Sequence, residues 1–270
     1  MHSVVCIKQV PDTTDVKIDR KTNTLIREGV PSIVNPFDIH AIEEALRLKD
    51  RFGGRITVIS MGPPQARESL KKAISYGVDE AILISDRAFA GADTLATSYV
   101  LAQTIRAIGD KEPVDLVLCG KQAIDGDTAQ VGPGIATRLG ISQLTYVAKI
   151  RSIDLEKKEI VVERQLEGGR EALRAELPAL LTVVKELNTS RYQSLPSMIR
   201  AARYDPPVWD KDSFDRDPSL LGLKGSPTKV SKVYVPPPRE KGGIIAGDPE
   251  DPEKTVAELV DKLLECKIIG

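Results

Sequence analysis

The 270 residues predict an α/β protein: a parallel, doubly wound sheet, extended by antiparallel strands and by a C-terminal arm. Three observations carry the prediction. From the N-terminus to about residue 120, short apolar runs alternate with segments of helical period, the pattern of a parallel sheet covered on both faces. After Gly140 the apolar period falls to two, as in antiparallel strands. From Asp205 the composition shifts, and nine of the chain's 18 prolines lie between Asp205 and Pro252, including Pro236-Pro237-Pro238. A segment so rich in proline builds no core of its own and needs another surface. The predicted division is residues 1–204 as the α/β domain and 205–270 as the arm.

Val4–Val10 reads as the first strand, followed by a long polar connection with a hairpin around Lys21–Asn23. Asn35-Pro36 opens a helix, because Asn caps and Pro suits the first helical position. Ile39, Ile42, Ala45 and Leu46 share one face of it, and Gly53-Gly54 ends it. Arg55–Ser60 is a second strand, Gln65–Tyr76 a helix stopped by Gly77, and Ala81–Ser85 a third strand. Asp93 or Thr94 caps a helix running to about Ile108, and Val114–Cys119 is a fourth strand. Ile135–Leu139 is a weak helical stretch. Leu144–Ser152, Glu159–Gln165 and Ala172–Leu177 form an antiparallel meander joined to the same sheet, and Pro178–Val184 is one more strand. Pro252–Cys266 is an amphipathic helix with Val256, Leu259, Val260, Leu263 and Leu264 on its apolar face, which calls for a docking surface.

Composition narrows the chemistry. A net charge of −1 points to neither nucleic acid nor an anionic membrane surface. No apolar run approaches the roughly 20 residues of a membrane span, and the N-terminus lacks the long apolar stretch of a signal peptide. Cys6, Cys119 and Cys266 are widely spaced and form neither a disulfide framework nor a metal motif, so a cytoplasmic location is expected. His2 and His40 form no metal or triad constellation, and His40 reads as a surface partner of Glu44 one turn on. No side-chain catalyst is expected, and chemistry would come from a bound cofactor.

Ligands of open parallel sheets bind outside the carboxyl ends of the strands. Residues 6–12, 61–64, 86–97 and 120–134 should therefore gather at one edge. The segment GKQAIDGDTAQVGPG, Gly120–Gly134, joins a strand to a helix, and its glycines let backbone approach a ligand. It matches neither GxGxxG nor GxxxxGK[ST]. A phosphate cradle and an ordinary strand-to-helix loop both fit its spacing.

Four segments together resemble the beta subunit of electron transfer flavoproteins. They are VERQLEGGREALRAELPALLTV at Val162–Val183, GKQAID with Asp127 and Gln130, CIKQVPD with VNPFD at Val34–Asp38, and RYQSLPSM at Arg191–Met198. The resemblance spans essentially the whole chain. It implies a nucleotide-binding α/β domain related to the universal stress proteins, and an arm that wraps an alpha subunit. It also implies electron transfer through FAD between flavoprotein dehydrogenases and other redox partners. In respiratory members the beta subunit holds AMP. In the electron-bifurcating branch it holds a second FAD that takes hydride from NADH and sends electrons along two paths. One leads to ferredoxin or flavodoxin. The other leads through the alpha FAD to an acyl-CoA dehydrogenase-like or quinone-linked partner, and so towards a membrane-bound redox complex. DRAFAGADTLATSYVLAQ, Asp86–Gln103, resembles the bifurcating branch.

Carried over by residue, the resemblance implies that Cys6 and Lys8 lie at the adenosine edge, with Asn35, Pro36, Phe37 and Met61 lining the same cleft. Ala123, Ile124, Asp125, Gly126, Asp127, Thr128, Ala129, Gln130, Val131, Gly132 and Gly134 would cradle ribose and phosphates. Thr94, Thr97 and Ser98 would donate to phosphate or flavin, while Asp93 would cap its helix or take ribose hydroxyls. Leu195 would anchor a dehydrogenase. The chain departs from respiratory members after this loop, where Arg200 and Arg203 stand among alanines in place of several lysines. A simple electron carrier with AMP is the nearest alternative. A regulatory adenine-nucleotide binder of the universal-stress type is a more distant one.

Overall fold

In a computed structural model, the described residues are 1–12, 18–19, 24–25, 31–231, 244–247 and 250–269. Met1–Lys232 forms one compact unit and Val233–Gly270 a second. The first unit opens with β1 (His2–Cys6), β2 (Gln9–Pro11), β3 (Ile18–Asp19), β4 (Thr24–Leu25) and β5 (Ser32–Val34). It continues with α1 (Pro36–Phe52), β6 (Arg55–Met61), α2 (Arg67–Tyr76), β7 (Glu80–Ile84), α3 (Thr94–Gly109), β8 (Leu116–Gly120) and α4 (Val131–Leu139). Then come β9 (Ser142–Asp154), β10 (Glu159–Leu166), β11 (Gly169–Glu176), β12 (Ala179–Val183), α5 (Leu195–Arg203) and β13 (Val208–Trp209). The second unit carries α6 (Pro252–Glu265).

Nine strands make the central sheet in the order β11-β10-β9-β12-β8-β1-β6-β7-β13. Every neighbour from β9 to β13 is parallel, and β10 and β11 add an antiparallel edge. β1 is buried along its whole length, as a strand covered on both faces must be. Its alternate residues serve two cores. Val5 packs with Val58, Leu118 and the buried faces of α1 and α2, through Ile42, Leu46, Leu70 and Ile74. Val4 packs with Ile59, Val117 and the faces of α3 and α4, through Val100, Ile105 and Ile135. Each such side chain contributes about 1.5–3 kcal/mol by leaving water.

Four details differ from the sequence reading. The first strand stops at Cys6 rather than Val10: the Lys8 N–H turns to Asp38 Oδ2 at 2.7 Å, and Gln9–Pro11 pairs with β5 in a separate ribbon. β9 is part of the parallel sheet as well as of the meander, since it pairs with β12 in parallel and β10 in antiparallel fashion. α4 begins at Val131 rather than Ile135, because Pro133 sits in a first turn whose N–H groups need no helical partner. The proline-rich run leaves Asp205 along the sheet: β13 pairs with β7, and Phe214 and Leu221 enter the second core. β3 and β4 pair in antiparallel fashion, while residues 21–23, where the hairpin turn is expected, and the triple proline at 236–238 lie outside the described residues. No helix among the described residues is long and apolar enough to cross a membrane.

Candidate nucleotide cleft

The strand order reverses between β8 and β1, and a crevice forms outside their carboxyl ends. Asp38 sits at its floor, in the first turn of α1. Its carboxylate accepts the Lys8 N–H (2.7 Å) just past β1, the Gly120 N–H (3.1 Å) at the end of β8, and the Asn35 Nδ2 (2.9 Å). Burial pushes the Asp38 pKa up to about 7, with the three hydrogen bonds offsetting part of that effect. Asn35 does not cap α1 through its side chain as expected. Its amide instead donates to the Gln122 carbonyl (2.8 Å) and accepts the Ile124 N–H (3.1 Å), tying the loop after β8 to α1.

That loop ends in an unusual backbone. Asp127 and Ala129 take left-handed conformations, φ 51° and 53°, sparsely populated by residues with side chains. Ala129 is followed by Gln130 in the right-handed region, an alternation that turns successive N–H groups into one concavity. Gln130, at the N-cap of α4, makes no side-chain capping bond, and no other side chain among the described residues makes one there. Val131 and Gly132 line the cleft at that uncapped N-terminus. Lys8 Nζ meets both Asp125 oxygens, at 2.7 and 2.9 Å. Lys121 and Arg87 also line the cleft and have no ion pair among the described residues, although Lys121 lies over the rings of Tyr146 (5.0 Å) and Phe37 (5.9 Å).

The cavity measures about 1640 Å³. It brings together Cys6, Lys8, Asn35, Met61, Asp93, Thr94, Thr97, Ala123, Asp125, Gly126, Thr128, Ala129, Gln130, Val131 and Gly132. Pro36, Phe37, Ile124, Asp127 and Gly134 do not line it. Pro36 is exposed at the start of α1, Ile124 is exposed, and Asp127 accepts a bond from Gln122 (2.6 Å). Packing explains most of the loop's glycines. A Cβ at Gly120 would stand 2.2 Å from Asp38 Oδ1, at Gly132 2.5 Å from Thr182, and at Gly134 2.8 Å from Ser98. Only Gly126 faces open space. Cys6 and Cys119 are register partners on adjacent strands, and that neighbour and burial push the Cys119 thiol up.

At the start of α3 most polar groups are already engaged. Asp93 Oδ1 accepts the N–H groups of Leu95 and Ala96. Thr94 donates to Gln130 Oε1 (2.8 Å), and Ser98 is buried and donates to the Leu95 carbonyl. Thr97 alone of the three hydroxyls has no partner among the described residues and lines the cavity.

A second surface lies near the other end of α1. Glu43 is buried and binds Arg191 through Nε and Nη2, at 3.0 and 3.1 Å. Glu44 accepts from Asn188, which also bonds His40, so His40 is no simple surface partner of Glu44. Ser194 caps α5. Leu195 is 69% exposed, with Met198, Ile199 and the fully exposed Tyr192 nearby in sequence. Asp38 and Arg191 lie in segments that carry the resemblance, VNPFD and RYQSLPSM, but the sequence reading assigns neither a role, and it does not single out Glu43. Beyond those segments, the local signal is Asp38 two residues after a helix-starting proline. Among the described residues no cluster of His, Cys, Asp and Glu could hold a metal.

The electron transfer flavoprotein domain model matches residues 22–210. Protein FixA of Azotobacter vinelandii is 54% identical over 259 residues, covering 96% of this chain and 92% of that protein. The electron transfer flavoprotein subunit beta of Clostridium acetobutylicum is 49% identical over 266 residues, 98% of each chain. That of Thermoanaerobacterium thermosaccharolyticum is 48% identical over 270 residues, the whole of both.

Proposed function

Since the chain belongs to the electron transfer flavoprotein family, as a beta subunit, we propose that it holds FAD in the β1/β8 cleft, receives hydride there from NADH, and divides the electrons between two acceptors. The observation that carries the reading is the uncapped N-terminus of α4, with its alternating backbone, opening into the cleft. Such N–H groups and the helix dipole favour phosphate. When bound, FAD supplies two-electron uptake and one-electron release.

The chain's residues do the rest. Val131 and Gly132 N–H groups would face the phosphates, with Lys121 and Arg87 as counter-charges and the Thr97 hydroxyl as a donor. Asn35 and Asp38 would hold the loops in that shape. The alpha subunit would take the second unit through the apolar face of α6. Leu195 with Met198 and Ile199 would receive an acyl-CoA dehydrogenase-like or quinone-linked partner, while ferredoxin or flavodoxin would accept the other electron.

One observation favours AMP instead: Asp93, Thr94 and Ser98, in the segment resembling the bifurcating branch, already spend their polar groups on α3, α4 and neighbouring backbone. Cofactor analysis decides. The purified complex with alpha should carry two flavins, no AMP, and bleach with NADH. One flavin with AMP and no response to NADH would leave the simple carrier.

A further inference from the structure

The outer wall of the cleft runs from Asp86 to Asp93, and most of it lines the cavity. Residues 211–228 back it along its length. The Lys211 N–H donates to Asp86 Oδ2 (3.3 Å), and Phe214 stacks on Phe89 with ring centroids 6.1 Å apart. Gly222 passes so close that a Cβ there would stand 2.3 Å from the Ala88 carbonyl oxygen. A Cβ on Gly91 would likewise stand 2.7 Å from the Leu223 side chain. The run ends on Asp93. The Ser226 hydroxyl accepts the Asp93 N–H (2.8 Å) and donates to the Gly222 carbonyl (2.7 Å). Thr228 gives Asp93 Oδ2 both its hydroxyl (2.8 Å) and its N–H (3.2 Å).

Asp93 therefore accepts four hydrogen bonds, two on Oδ1 from the α3 cap and two on Oδ2 from Thr228, which fills the roughly four acceptor sites of a carboxylate and leaves none for a ligand's hydroxyls. Its task is geometric. We propose that Asp93, Ser226 and Thr228 are positioning residues through which segment 211–228 holds the cleft wall, and with it Thr94 and Thr97, in ligand-binding shape. The inference rests on the reading that the cleft holds an adenine nucleotide. A wall fixed from behind loses less freedom when the ligand arrives, so removing the tie weakens binding without removing any ligand contact.

The test uses the full chain in complex with alpha, with FAD and AMP as probes. Thr228→Val combined with Ser226→Ala should weaken the nucleotide that the wild-type complex retains by about tenfold, within the range of ordinary coupling. Thr228→Ser should restore it, since it keeps the hydroxyl. In wild-type protein, nucleotide should slow hydrogen exchange at the Thr228, Leu95 and Ala96 amides together. That measurement stands even if the double variant folds poorly. Unchanged affinity in the folded double variant overturns the inference alone, as does protection of Leu95 and Ala96 without Thr228. A wild-type complex that binds neither nucleotide overturns both the inference and the reading beneath it.

Discussion

Asp38 shows how one residue can organise a site without a sequence signature. A lone Asp in a helix's first turn usually interacts with the dipole at the surface. Here it is buried, because the chain ends of β1 and β8 converge on it from 30 and 82 positions away. Only the fold supplies those donors, which is why the reading of NPFD stopped at the helix start. Its titration has a definite sign. The folded pKa, raised to about 7, lies above the unfolded value near 3.8, so the native state binds the extra proton between them. This group's contribution to stability therefore falls as pH rises from about 4 to about 7, and is flat beyond. Asp38→Asn removes the titration. The difference in melting temperature between wild type and variant, followed across that window, should drift steadily and level off near pH 7. A parallel pair of profiles would contradict the assignment. The glycines make a second prediction at this scale. Gly132→Ala drives a methyl into Thr182 and should cost about 1–3 kcal/mol in urea unfolding, while Gly126→Ala, facing open space, should cost under about 0.5 kcal/mol.

α1 is the element that joins the two candidate sites. Asn35 and Asp38 at its start hold the cleft loops, and Glu43, Glu44 and Asp50 further along hold residues 188–191, which lead into α5. The Glu43–Arg191 pair is the strongest candidate for a structural lock, since the glutamate is buried and bound bidentately. Arg191→Ala would leave that carboxylate only the backbone N–H of residue 191 (3.0 Å) and should cost somewhat less than the roughly 3–5 kcal/mol of a wholly unpaired buried charge, whereas the exposed Leu195→Ala should leave stability within about 0.5 kcal/mol. If α5 is the docking surface, Leu195→Ala should still slow electron delivery to the dehydrogenase partner, measured as a raised KM for the complex. Periodicity made α1, α2 and α3 legible, because each buries an apolar stripe. α4 was legible only in part. Its opening VGPG reads as loop by propensity, yet tight packing against β12 and α3 demands the glycines, and the first turn tolerates the proline.

At the scale of the molecule, the alternation of strands and helices announced a parallel sheet, but strand order lay beyond it. Nothing local in LVLCG says that β8 inserts beside β1 rather than beyond β7. That insertion creates the crevice, so the site's location followed from the general rule for such sheets while its floor did not. The proline-rich region divides similarly. Its first part is stitched to the sheet by β13, Phe214 and Leu221, contacts too irregular for periodicity to mark. Its last part is α6, where Val256, Leu259, Val260 and Leu264 are all exposed. A helix of 14 residues is marginal in water on its own, even with the Asp251 cap and Pro252 at its start. Its stability should come from a surface that covers the apolar face, which we assign to the alpha subunit. Val256→Asp with Leu259→Asp in the full-length chain separates this from a merely solvated tail. Neither residue belongs to the core of the first unit, so its melting temperature should stay put while co-purification with alpha is lost. Retention of alpha by that variant would return the proline-rich segment to the status of an appended tail, and would leave the heterodimer to be held by the first unit alone.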